Sequence, residues 1–126
     1  QQFIYSLRRM LDPIKEHVDN NFNPLPTEYI NEFMPIRQKI NDLMKMSCEQ
    51  IETSRYENYR EILAEADACK DELSVIRKKH IDRLQNMKDN TLMQISLVYL
   101  NVLQESQEFL SVMRHQLRAA KKFMVN

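Results

Sequence analysis

Apolar residues recur along this chain at steps of three and four, and no stretch alternates with period two. That pattern predicts helices and excludes a sheet as the organising element. Four segments carry it. The first runs from Gln2 to Asn20 with Phe3, Leu7, Met10, Leu11, Ile14 and Val18 on one stripe, and Pro13 is expected to kink it. Residues 20–26, with Pro24 and Pro26, read as a loop. The second segment starts at Thr27 as N-cap, with Glu28 in the first turn, and ends near Thr53. Its stripe is Tyr29, Phe33, Ile36, Ile40, Leu43, Met44, Ser47 and Ile51, and Pro35 predicts a second kink.

Ser54 to Glu57 has the form of a capping box, which would start the third segment. That segment carries Tyr59, Ile62, Ala66, Cys69, Leu73, Ile76, His80, Leu84 and Met87 on a heptad-like seam. Asp89 or Asn90 is the next expected N-cap. The fourth stripe is Leu92, Ile95, Tyr99, Val102, Ser106, Phe109, Met113, Leu117 and Ala120, in a helix expected to reach about Phe123. Leu97, Val98, Leu100, Leu103 and Leu110 widen it, so more than one neighbour must cover it. Short connections make successive long helices antiparallel. The expected fold is all-α: an elongated antiparallel up-down bundle of four helices forming a single domain over residues 1–126.

Composition sharpens this picture at one point above all. The 126 residues include no glycine, the usual supplier of tight hairpins, phosphate loops and left-handed helix caps. Rossmann and P-loop enzymes are therefore excluded, and the helices are expected to end through polar capping by Pro, Asn, Ser or Asp. Eighteen basic residues balance eighteen acidic ones, which argues against a nucleic-acid partner held through phosphate contacts. Cys48 and Cys69 have no zinc spacing and read as buried free thiols in a reducing cytosol. No apolar run is long enough to span a bilayer. The chain opens on Gln1, not Met, and reads as a piece excised from a longer protein.

Candidate chemistry is sparse. Glu57, Glu61 and Glu65 share one helical face, as do Asp67 and Asp71. A carboxylate metal site would draw on Glu61, Glu65, Asp67 and Asp71, but no Glu-x-x-His accompanies them, and a solvated acidic face is the preferred reading. No cofactor is expected. Basic residues cluster at Arg77, Lys78, Lys79 and Arg83, and again at Arg114, Arg118, Lys121 and Lys122. Arg114, Arg118 and Lys122 line up at i, i+4 spacing and are the candidate interaction residues for a phosphate or anionic lipid surface, against the plainer reading of helix-dipole complementation. His80 on the seam reads as a hydrogen-bonded core residue, while His17 and His115 are expected to be exposed. No spacing assembles a nucleophile with its base, so no catalytic residue is assigned. Met44, Met46, Met87, Met93 and Met113 read as core filling.

The run Leu97-Val98-Tyr99-Leu100-Asn101-Val102-Leu103-Gln104-Glu105-Ser106-Gln107-Glu108-Phe109, followed by Arg114 to Phe123, resembles the last helix of a PhoU-like bundle. It is similar to the C-terminal tail of PiT-family inorganic phosphate transporters of Bacteroides-type bacteria. The stretch from Arg9 to Asn20 resembles the start of that domain. The resemblance implies a non-catalytic regulatory domain on the cytoplasmic side of the bacterial inner membrane, attached after the membrane helices of a phosphate permease. The implied partners are that transmembrane part, a second copy of the domain, and the membrane surface. PhoU-like bundles gather cations on a Glu-x-x-x-Asp motif. In the register marked by Tyr99-Leu100 those positions are Gln107 and Ser111, which carry no carboxylate, so a metal role does not transfer. Two other classes remain open: a secreted four-helix signalling protein, which would bridge its cysteines, and a carboxylate metal protein.

Overall fold

Each of the three downstream stripes folds as one uninterrupted helix in the computed structural model, which describes residues 25–125. Helix α1 spans Thr27–Thr53, α2 spans Tyr59–Gln85 and α3 spans Asn90–Val125. The fold is all-α, but the described residues form three helices, not four. The segment expected at Gln2 to Asn20, with Pro13, His17 and the Arg9 to Asn20 resemblance, lies outside them.

The topology follows from the contacts between helices. Between α1 and α2, Glu32 meets Arg83 and Lys39 meets Glu72, numbers rising on one helix as they fall on the other. Between α2 and α3, Asp67 meets Arg114 and His80 meets Ser96 in the same inverse order. Between α1 and α3, Tyr29 meets Ser96 and Glu32 meets Tyr99, a constant offset of 67. The helices therefore run up, down and up, with α3 parallel to α1. At 1.5 Å per residue α1 and α2 are each about 40 Å long and α3 about 54 Å.

Every helix packs on both others. Their stripes close around Phe33, Ile36, Leu43, Ile62, Leu73, Tyr99, Leu103, Leu110 and Met113, all fully buried. Burial contributes about 1.5–3 kcal/mol for each side chain of this size. Leu103 and Leu110 fill the interior, so the breadth of the α3 stripe is consumed by two neighbours within the chain. Leu92, placed on the core stripe by periodicity, is 38% exposed because it lies in the first turn of α3, and Leu97 is exposed as well. Met113 is buried, and Met44 and Met46 pack against the core as filling.

The breaks between helices correct two expectations. Thr27 is the first helical residue, not the N-cap; Pro26 precedes it and its carbonyl accepts from the Tyr29 and Ile30 N–H groups at 3.0 Å. Ser54 is not the N-cap of α2. It closes α1 in the left-handed conformation, with φ 54° and ψ 27°, and its N–H donates to the Ile51 carbonyl. Asn58 occupies the N-cap position of α2, without a side-chain capping bond. The capping-box pattern loses because the chain must turn sharply between antiparallel helices, and a left-handed residue makes that turn. With its amide turned so that Nε2 faces the Arg55 carbonyl (3.1 Å) and Oε1 faces the Asn58 N–H (3.2 Å), Gln50 fastens the connection from inside.

Two further features match local chemistry. Asp89 does cap α3: its Oδ1 accepts from Thr91 N–H at 2.9 Å and Leu92 N–H at 3.3 Å. Helix α1 continues through Pro35, which is exposed. The carbonyl that Pro35 leaves without its helical donor belongs to Asn31, an exposed residue.

Ser54 is the only residue with positive φ among the described residues. A side chain in that conformation costs about 1 kcal/mol that glycine avoids. Ser54→Gly is expected to raise the free energy of urea unfolding by up to about 1 kcal/mol, and Ser54→Val to lower it. Equal stability of the two variants would show that this residue is not left-handed in solution.

Candidate functional site

The densest chemistry sits at the end of the bundle where α1 begins, α2 ends and α3 begins. Tyr29, Glu32, His80, Arg83, Ser96 and Tyr99 converge there from all three helices. Tyr29 and Tyr99 stack with ring centroids 4.7 Å apart and planes 5° from parallel. The His80 ring stands edge-on to both, each at 4.8 Å. Phe33 closes the aromatic cluster edge-on to Tyr99 at 6.5 Å. Arg83 lies over the Tyr29 ring, 5.3 Å from its centroid.

Hydrogen bonds fix the protonation states. Arg83 Nη1 approaches His80 Nδ1 at 3.3 Å, and a guanidinium can only donate. Nδ1 is therefore the acceptor, and the ring proton resides on Nε2, which donates to the Ser96 carbonyl at 2.7 Å. The Tyr29 and Ser96 hydroxyls bond each other at 2.9 Å. Glu32 accepts from Tyr99 at 2.8 Å on one oxygen and from Arg83 on the other, with Lys79 at 3.5 Å.

These contacts set the charges. Burial lowers the His80 pKa, and the Arg83 charge adds to that, outweighing the Ser96 bond and the more distant Glu32 and Glu28 charges. His80 is thus neutral and fully buried. Burial pushes the Glu32 carboxyl up, but the bonds from Arg83 and Tyr99 and the charges of Arg83 and Lys79 outweigh it and hold the group below the usual carboxylate range. Burial, then the bond to Glu32, raises Tyr99, which stays a neutral phenol.

Chemically this cluster is consumed by structure. Ser96 adjoins His80, but the imidazole bonds its carbonyl, leaving the hydroxyl to Tyr29, so no nucleophile–base pair forms. Cys48 and Cys69 are buried and unbridged. Burial, helped by Glu72, pushes the Cys69 thiol up to about 11, away from reactive thiolate character.

The residues singled out by sequence lie elsewhere. Glu61, Glu65 and Asp71 are exposed on α2, and among the described residues no three metal-ligating side chains converge. Asp67 faces Arg114 across α2 and α3 at 3.0 Å. Arg114 is thereby separated in role from Arg118 and Lys122, which are exposed as the i, i+4 reading requires. Those two line a shallow groove of about 480 Å³ with His115 and Tyr59, at the end opposite the aromatic cluster. Lys121 sits 4.1 Å from the centroid of the Tyr59 ring. His115 is exposed, as expected.

His80 was legible as a bonded seam residue. Glu32 was missed. Its only signal was a carboxylate three residues after Tyr29 on the edge of an apolar stripe, and its partner Arg83 is 51 residues away. Comparison of the chain with protein-family models, curated proteins and solved structures finds no match.

The neutral His80 makes stability pH-dependent with a defined sign. Its folded pKa lies below the ordinary 6.5, so below that pH the unfolded chain takes up a proton that the folded one refuses. The stabilisation is complete above pH 6.5 and is lost as the pH falls through the folded pKa. Glu32 adds a second loss below its ordinary 4.5, by the same sign. Urea unfolding across pH is expected to show both steps, and His80→Gln to abolish the upper one. Tyr99→Phe, which strips one bond from the half-buried Glu32, is expected to cost about 1 kcal/mol at neutral pH.

Proposed function

We propose that this chain is a non-catalytic regulatory or interaction domain of an inorganic phosphate transporter. The observation that carries the reading is how the chemistry-bearing groups are spent. Glu32, His80, Arg83, Ser96 and both tyrosines of the cluster bond one another and tie helix to helix. What remains outward is long lateral helix surface, suited to contact. The resemblance of residues 97–109 and 114–123 to the tail of PiT-family transporters supports a transporter of that kind as the larger protein. The run falls in α3, with Tyr99, Val102, Leu103, Ser106 and Phe109 turned into the core.

In this reading the three described helices belong to a PhoU-like bundle. The domain sits on the cytoplasmic side of the inner membrane and packs against the permease or a second copy of itself. Arg118 and Lys122, exposed beside His115, face anionic headgroups next to the permease. No helix among the described residues is long and apolar enough to cross a membrane.

The test is phosphate uptake by the permease with and without this domain. Uptake is expected to persist without it, while its dependence on external phosphate changes. A coding sequence with no membrane helices ahead of this segment would refute the proposal. So would uptake indifferent to removal of the domain.

A further inference from the structure

Midway along the bundle, α2 and α3 leave a groove of about 530 Å³. Arg77 and Lys70 line it from α2, one heptad apart and so on the same helix face. Gln104, Gln107 and Ser111 line it from α3, with Glu108 as the one carboxylate among the lining residues.

Arg77 is the unusual member. The residue is half-buried, and its Nε is shut off from solvent with no hydrogen-bond acceptor. Two other arginines of the bundle face carboxylates: Arg83 faces Glu32 and Arg114 faces Asp67. Arg77 has no such pair among the described residues, and neither does the half-buried Lys70. A desolvated charged donor without an acceptor is unfavourable, and native structures rarely leave one so. Gln107 is already held, its Nε2 donating to the Lys70 carbonyl at 3.1 Å and to Ser74 Oγ at 2.7 Å, which fixes the floor of the groove. The Gln104 amide and the Ser111 hydroxyl stand at its α3 wall.

We propose that this groove binds a small tetrahedral oxyanion of the phosphate class, with Arg77 and Lys70 as its charged donors and Gln104 and Ser111 as neutral ones. A guanidinium offers the planar donor geometry that suits phosphate oxygens, and the lysine adds a point charge along the groove. Glu108 is exposed at the groove and opposes the anion, so it tunes affinity downward. The proposal stands on the groove's own geometry and does not depend on the transporter reading.

The phosphate can come free in solution or on a lipid headgroup. The test titrates the full chain, labelled with nitrogen-15, with inorganic phosphate at low ionic strength and follows the Arg77 Nε–H and the Gln104 amide resonances. A parallel arm measures binding to phosphatidic acid vesicles in a background where Arg118 and Lys122 are both changed to Gln, so that the terminal basic face does not contribute. Saturable shifts at Arg77 and Gln104 are expected. Arg77→Gln should weaken binding about tenfold or more, the loss of a charge-assisted bond. Glu108→Gln should tighten it, and Arg118→Gln should leave phosphate binding unchanged. Should Arg77→Gln unfold, Lys70→Gln carries the same expectation. An Arg77-dependent signal with free phosphate identifies a soluble anion; one with vesicles alone identifies a headgroup. Absence of an Arg77-dependent signal in both arms overturns the proposal, as does equal loss in Arg118→Gln.

Discussion

The bond between Glu32 and Arg83 is the constraint on which the arrangement of the three helices depends. It joins α1 to α2, and the second Glu32 oxygen takes the Tyr99 hydroxyl of α3, so one carboxylate touches all three. Drawing two charges even partly out of water is costly, and such an ion pair is maintained only when its geometry and extra hydrogen bonds compensate. Here they do. Any slip of one helix along another would strip the half-buried Glu32 and Arg83 of their partners. Apolar packing alone would tolerate such a slip better, since one leucine layer resembles the next.

From that anchor the bundle has a polarity along its length. The aromatic and charged cluster holds the end where α3 starts. A mostly apolar interior of Phe33, Leu73, Leu103 and Leu110 follows. The far end carries the left-handed turn at Ser54, the Tyr59 and Lys121 pair, and the exposed Arg118 and Lys122. Between the ends, Arg77 and Lys70 stand in a groove without the carboxylate partners that Arg83 and Arg114 have. Internal bonds therefore fix the shape and leave these basic groups without carboxylate partners.

How much of this could be read from residue order varies with the range of the interaction. Helix spans were legible, because periodicity and the Asp89 cap are local signals, and Cys69 and His80 are buried as their positions on the seam imply. The Ser54 pattern misled because an N-cap and a left-handed C-cap place the same residue type at the same junction, and the need to reverse the chain decides between them. The absence of glycine pointed away from glycine left-handed caps, and it is a serine, Ser54, that takes that conformation. The cluster itself was illegible. Glu32 and Tyr99 are 67 residues apart, and nothing in the neighbourhood of either marks the other. Arg114 shows the same limit: helical spacing groups it with Arg118 and Lys122, while the fold turns it to Asp67.

The most direct test of this account is the tautomer and titration of the His80 ring, observed by long-range nitrogen–proton NMR between about pH 5 and pH 8. If Arg83, fixed by Glu32, donates to Nδ1, the ring is neutral with its proton on Nε2, and it titrates below the ordinary 6.5. A proton on Nδ1, or a midpoint at or above 6.5, would contradict the arrangement of Glu32, Arg83 and His80 on which the fold is built.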